Sequence, residues 1–273
     1  AGVVLAGIYA YERAVSKKIK DMKFMFLGAG AAATGIGDLI VSAMVEEGMS
    51  EAEARKNLWF IDSKGLVESS RTDLASYKQA YAHDVGSMDF NQALDTLKPD
   101  VLIGATGTPG TFTQEIVEKM TSFTETPAIF ALSNPTANAE CTAEQAYTWS
   151  KGKAIFCSGS PFDKVSYEGK TFKPGQGNNA YIFPGIGLGA VACELERVTD
   201  DMFLVAAQAL AKMIKQEDLD MGCMYPSLTE IRQASLDIAV AIAQRAYEKG
   251  LAKLPKPADI KAHIEALVYD PSY

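Results

Sequence analysis

Histidine and cysteine are scarce in this chain, long apolar runs are missing, and positive charge is outweighed. His83 and His263 are the only two histidines. They lie far apart without metal-ligand spacing, so structural or surface roles are expected of both. Cys141, Cys157, Cys193 and Cys223 form no CxxC pair and sit in apolar or helical contexts, which argues for reduced thiols and against a disulfide framework or a zinc site. No uninterrupted apolar stretch approaches the ~20 residues of a membrane helix, and no basic, apolar, small-residue leader opens the chain. The first residue is Ala1, not methionine, so processing or truncation is expected to have made this terminus and the sequence to be part of a longer protein. Lysine and arginine total 26 against 34 acidic residues, a net charge of −8 with a pI near 4.9. Nucleic acid or an anionic membrane would want a basic face, so neither is an expected partner. A phosphate-bearing ligand has to be held by local geometry. Internal repeats and low-complexity segments are also absent.

What is present is the makings of a large α/β core. The 273 residues are 48% hydrophobic and 22% charged, ordinary values for a globular protein. The stretch from Phe24 to Ile40 organises them. A short apolar run ends in Gly28-Ala29-Gly30, after which Ile36, Leu39, Ile40, Ala43 and Met44 recur three and four apart, as one helix face requires. Strand, tight turn and helix give Gly28-x-Gly30-x-x-Ala33 a mechanism. Gly28 permits the turn, Gly30 lets backbone approach a pyrophosphate, and small Ala33 lets helix and strand pack closely, with first-turn N–H groups facing the phosphates. An ordinary βα turn is the alternative.

The other elements follow the same logic. Val4, Ile8, Tyr11 and Val15 mark a helix before the first strand. Ser50-x-x-Glu53 is a capping box starting a further helical stretch, and Leu58 to Ile61 forms a second strand ending at Asp62. An acidic residue there accepts hydrogen bonds from an adenosine ribose; Asp62 lies further on than the usual spacing of about 20 residues, with the Ser50 turn supplying the excess. Its alternative role is to cap a loop. Val101 to Gly104, Pro127 to Leu132 and Ala154 to Cys157 read as further buried strands, each ending in small, polar or turn residues. Val165 to Phe172 reads as a hairpin and Lys173 to Asn179 as a glycine-rich loop. From Pro184 on the chain reads mostly helical, over Asp201 to Lys215, Leu228 to Lys249 and Asp259 to Leu267. Gly185-x-Gly187-x-Gly189 reads as close packing at a helix start. The predicted fold is α/β: a Rossmann-type, doubly wound, mostly parallel sheet with flanking helices and a helical carboxyl-terminal part. Pro255-Lys256-Pro257 divides residues 1–254 from an appendage at 255–273.

Amides carry the remaining candidate chemistry. Asn134 follows a strand directly, and Asn178-Asn179 follows the hairpin. An asparagine amide both donates and accepts, which suits an oxyacid and a nicotinamide ribose, although turns favour asparagine anyway. Hydride transfer from an alcohol also needs a proton acceptor, and decarboxylation usually needs an electron sink. No base or carboxylate cluster for these roles is recognisable, so an oxidoreductase built on this chain would keep part of its active site elsewhere.

Six segments together resemble malic enzymes nearly end to end. They are Phe26 to Gly30 with Thr34-Gly35-Ile36; Ile61-Asp62-Ser63-Lys64-Gly65; Leu132-Ser133-Asn134-Pro135-Thr136; Glu140-Cys141-Thr142-Ala143-Glu144; Ser158 to Phe162; and Pro174 to Gly185. The resemblance implies the cofactor-binding part of an enzyme that oxidises malate and decarboxylates the product to pyruvate and CO₂. It makes Gly28, Ala29, Gly30, Ala31, Ala32 and Ala33 the pyrophosphate turn, although the family commonly has glutamate where Ala31 stands. Asp62 becomes the ribose contact, and Ala105, Thr106 and Gly107 lie near the nicotinamide half. Asn134 contacts cofactor and substrate, and Asn178 and Asn179 contact substrate. Asp62 alone favours NAD, because a carboxylate repels a 2′-phosphate, but Ser63, Lys64 and Lys78 resemble the NADP-using members. NADP is expected, with NAD the alternative. The family's tyrosine acid, lysine base and carboxylates for Mg²⁺ or Mn²⁺ lie upstream, so no catalytic residue and no metal ligand is expected here, and the chain alone is expected to be inactive. The implied partners are malate or pyruvate, the upstream catalytic region and further copies in a homo-oligomer, in the cytoplasm or an organellar matrix. A stand-alone nucleotide-binding module, regulatory or structural, is the other reading.

Overall fold

The computed structural model describes residues 1–268. The spacing of Val4, Ile8 and Tyr11 yields helix α1 (Gly2–Val15), with all three side chains buried. Strand β1 (Phe24–Leu27) leads through the glycine turn into α2 (Ala31–Glu46), whose Ile36, Leu39, Ile40, Ala43 and Met44 are buried as one stripe. Ser50 and Glu53 make the expected reciprocal cap on α3 (Glu51–Lys56), which delivers β2 (Leu58–Asp62). Then come β3 (Gly65–Leu66), α4 (Ser76–Gln79), α5 (Phe90–Leu97), β4 (Val101–Gly104), α6 (Gln114–Phe123), β5 (Ala128–Ala131), α7 (Ala143–Trp149) and β6 (Ile155–Ser158). A two-stranded hairpin, β7 (Val165–Tyr167) and β8 (Lys170–Phe172), precedes β9 (Gly175–Gln176). The rest is helical: α8 (Phe183–Ala192), α9 (Asp200–Lys212), α10 (Gln216–Asp220), α11 (Ile231–Glu248) and α12 (Ile260–Glu265).

Seven strands form one sheet in the order β3-β2-β1-β4-β5-β6-β9, parallel throughout except for β3. Because side chains alternate along a strand, the two faces acquire separate cores. Phe24 and Phe26 join the core built with α1, α2, α9 and α11, while Met25 joins that of α5, α6 and α7. Full burial of such side chains contributes about 1.5–3 kcal/mol each, so a one-residue slip of β1 would exchange the two sets and is strongly disfavoured. The strand order reverses between β1 and β4, where two neighbouring connections leave in opposite directions and open a crevice at the carboxyl ends.

The expected Rossmann-type α/β architecture is present, with differences in detail. The loop from Lys173 to Asn179 contains β9, paired in parallel with β6. Gly175 is seated against Tyr225 and Cys157, where a Cβ would lie 3.0 and 3.2 Å from their side-chain atoms. Helices α4, α5 and α7 are additional to the expected elements, and α5 and α7 begin with reciprocal caps, Asp89 with Gln92 and Thr142 with Gln145. Gly185 and Gly189 are close-packing positions on α11: a Cβ would come within 2.6 Å of Ile238 Cβ and 2.8 Å of the Ala239 carbonyl. His83 and His263 serve the fold, bonding the carbonyls of Leu58 at 2.8 Å and Ala192 at 2.9 Å. All four cysteines are free and buried. Ile264 of α12 is buried in the larger core; residues 269–273 of the expected appendage lie outside the described residues. Among the described residues no helix is long and apolar enough to cross a membrane.

Candidate functional site

The crevice at the switch point is a groove of about 470 Å³. One wall is the turn after β1. Gly28 has φ +109°, and its N–H donates to the Ile61 carbonyl at 2.8 Å. A Cβ there would stand 2.5 Å from the Ala105 carbonyl oxygen, so glycine is required by conformation and by contact. Gly30 caps α2 without a side chain, and a Cβ on it would meet open space. The first turn of α2 has no acidic side chain and no side-chain cap, so its N–H groups and the positive end of the helix are left for a ligand. Ala31 and Ala32 are exposed there, and Ala33 is buried at 1% exposure, letting the helix lie close to the sheet.

The second wall is a charge network around Asp62. Arg71 grips its carboxylate with both terminal nitrogens, each at 3.0 Å, Lys78 Nζ donates at 2.7 Å, and the Lys64 N–H donates at 2.9 Å. Arg71 also bonds Asp73 at 3.1 and 3.2 Å, and Lys64 Nζ reaches Asp73 at 2.7 Å. Burial pushes the Asp62 carboxyl up, but the Arg71 and Lys78 hydrogen bonds and the Lys64 N–H outweigh it and hold it down at about 2. The Arg71 guanidinium is correspondingly raised by Asp73 and Asp62. Three cations against two carboxylates leave this rim with one net positive charge, in a chain whose overall charge is −8.

The third wall follows β4 and β5. Ala105, Thr106 and Thr111 line the groove. The Gly107 N–H donates to Ser133 Oγ at 2.8 Å. Asn134, joined to Pro135 by a cis peptide, is exposed at the end of β5; its Oδ1 accepts from Ser160 Oγ at 2.6 Å. Asn178 uses its Oδ1 to accept from the Ala180 N–H at 2.9 Å, capping a short 3-10 turn.

Of the residues singled out in the sequence, Gly28, Ala29, Gly30, Asp62, Ser63, Lys78, Ala105 and Thr106 therefore line one groove. Lys64 turns aside to Asp73. Asn179 lines a different cavity of about 390 Å³, beside Ala1, Asp38 and Phe183. The Asp62 carboxylate caps its turn by accepting from the Lys64 N–H and also lines the groove. Nothing local marks Arg71, which is not among the residues singled out in the sequence: it stands nine positions after Asp62, beyond β3, and reaches back to it. A groove of about 490 Å³ between α9 and α11 contains none of the candidate residues and lies away from the strand ends. Among the described residues no three His, Cys, Asp or Glu side chains are grouped to hold a metal ion.

A family profile described as malic enzyme, NAD binding domain, matches residues 1–247. The NADP-dependent malic enzyme of Dictyostelium discoideum is 48% identical over 99% of this chain and 51% of its own length; that of Populus trichocarpa is 50% identical over 100% and 47%. The chain thus spans about half the length of the curated relatives it matches. Among solved structures, the malic enzyme of Entamoeba histolytica superposes with a TM-score of 0.77 at 24% identity, over 97% of this chain and 50% of its own. That of Pyrococcus horikoshii gives 0.70 at 24%, over 98% and 57%, a likeness of fold.

Proposed function

The chain belongs to the malic enzyme family, as its NAD-binding domain, and from that premise we propose that it binds NADP and serves a full-length enzyme that oxidatively decarboxylates malate to pyruvate. One observation carries the choice of NADP: the Asp62 carboxylate, which alone would repel a 2′-phosphate, is held by Arg71 and Lys78 on a rim with net positive charge. An ammonium has three donors, so Lys78 can keep its bond to Asp62 and offer the others to the phosphate. NADP-dependent relatives point the same way.

The residues divide the work. Gly28 to Ala33 receive the pyrophosphate at the start of α2, with Asp62, Ser63, Lys64 and Lys78 around the adenosine end. Ala105, Thr106 and Gly107 border the nicotinamide half. Asn134 stands between cofactor and substrate, Asn178 contacts the substrate from the loop after β9, and Asn179 does so from its separate cavity beside Ala1. The dinucleotide, when bound, supplies the hydride acceptor. Proton transfer and metal binding are assigned to the upstream catalytic region that the family resemblance implies. Residues 1–254 form the binding unit, onto which the helix of the following segment, α12, packs through Ile264, and the enzyme works as a homo-oligomer in the cytoplasm or an organellar matrix.

The test has two arms. Purified chain titrated with NADP⁺ should bind it and, given malate and Mn²⁺, produce no NADPH. The same chain expressed behind its native upstream region should reduce NADP⁺ with malate and Mn²⁺. A folded full-length protein that binds NADP⁺ without turnover would instead identify a regulatory or structural module, and turnover by the pure chain would refute the division of labour.

A further inference from the structure

Glu140 belongs to none of the roles assigned so far, yet it is the most completely enclosed carboxylate of the site, at 0% exposure. Its side chain occupies the space left by the missing side chain of Gly104: a Cβ there would stand 2.5 Å from its Cγ and Cδ. Every hydrogen bond around it comes from the two loops that leave β4 and β5. Oε1 accepts from the Thr106 N–H at 3.2 Å, from Thr106 Oγ1 at 3.4 Å and from Ser133 Oγ; Oε2 accepts from the Ser133 N–H at 3.2 Å. The network continues outward. Ser133 Oγ accepts from the Gly107 N–H at 2.8 Å, and Thr106 Oγ1 accepts from the Thr108 N–H at 2.9 Å.

One buried carboxylate therefore holds three consecutive residues of the loop facing the Gly28 turn, together with Ser133 beside Asn134. A buried carboxylate is unfavourable unless fully hydrogen-bonded, and an apolar side chain of similar volume would leave the Thr106 and Ser133 N–H groups without acceptors. We infer that Glu140 is a positioning residue for the nicotinamide half of the dinucleotide site: it sets the distance between the β4 and β5 loops and so the wall against which that half lies. This rests on the proposed dinucleotide binding. The glycine turn and the Asp62 rim, which receive the adenosine half, make no contact with Glu140 in this network.

The experiment separates the two halves of the ligand. The 273-residue chain and its Glu140→Gln and Ser133→Ala variants are titrated calorimetrically with NADP⁺ and with 2′,5′-ADP, which lacks the nicotinamide ribose. Wild type should bind NADP⁺ more tightly than 2′,5′-ADP. Glu140→Gln turns one acceptor into a donor against a shell of donors, so NADP⁺ should weaken about tenfold while 2′,5′-ADP stays within about twofold. Ser133→Ala removes the hydroxyl that links Glu140 to the Gly107 N–H but leaves the Ser133 N–H and both Thr106 bonds to the carboxylate, and should weaken NADP⁺ by about threefold with the same selectivity. Amide exchange at Thr106, Gly107 and Thr108 should quicken in both variants. The inference is overturned if both ligands weaken equally, if neither changes, or if wild type binds the two alike. If wild type binds neither ligand, the dinucleotide reading itself falls and takes this one with it. Should Glu140→Gln fail to fold, Ser133→Ala alone decides.

Discussion

Replacing Lys78 by glutamine tests the charge argument at the cation that both touches Asp62 and lines the groove. Lys78 Nζ lies 2.7 Å from Asp62 Oδ2, and its side chain is 17% exposed, enough to reach a ligand in the groove and little enough to limit screening. The substitution takes the rim from one net positive charge to none, while Arg71 keeps its two-nitrogen grip on Asp62. A hydrogen bond to a charged group is worth about 1.5–3 kcal/mol, so NADP⁺ should bind roughly 10- to 150-fold more weakly. NAD⁺ has no 2′-phosphate and should change by less than about twofold. The fold should lose little, because Arg71 and the Lys64 N–H still satisfy the Asp62 carboxylate. Calorimetric titration of both dinucleotides, with melting curves of wild type and variant, measures all three quantities. Equal weakening of NAD⁺ and NADP⁺, or an unchanged ratio, would refute the assignment of Lys78 to the 2′-phosphate.

Two further outcomes are expected. Gly28→Ala places a Cβ at φ +109° and 2.5 Å from the Ala105 carbonyl; it should destabilise the chain by about 1–3 kcal/mol in denaturant titration and abolish dinucleotide binding, and unchanged values would disprove the contact. Asp62 is held at about 2, below its ordinary 3.8. A carboxyl lowered by folding adds stability that is complete above its unfolded value and is lost as pH falls through the folded one, so the Asp62 contribution should fade between about pH 4 and pH 2. Melting curves of wild type and Asp62→Asn across that range should converge toward the acid end; a constant gap would count against the pairing.

Much of the fold was legible because its signals are local. Strand-length apolar runs with abrupt polar ends, the change to helical spacing after Gly30, and the Ser50–Glu53 cap each lie within a few residues, and each formed where expected. Helices α5 and α7 were legible too, since Asp89 with Gln92 and Thr142 with Gln145 are the same kind of signal. Strand β9 was not, because two residues of glycine-rich loop become a strand only when β6 offers an edge and Tyr225, distant in sequence, packs over Gly175.

The site divides the same way. The sequence by itself determined the glycine turn, the acidic end of the second strand and the small-residue ends of the later strands, since backbone conformation and residue chemistry at single positions are short-range properties. What those residues meet follows from the folding of distant segments onto them. The tertiary structure set Arg71 and Lys78 on Asp62 and so reversed the local charge, placed Glu140 in the gap beside Gly104, and sent Asn179 to a separate cavity. Coulombic balance and hydrogen-bond partnership depend on distances between chain segments, and those distances exist only once the sheet has assembled.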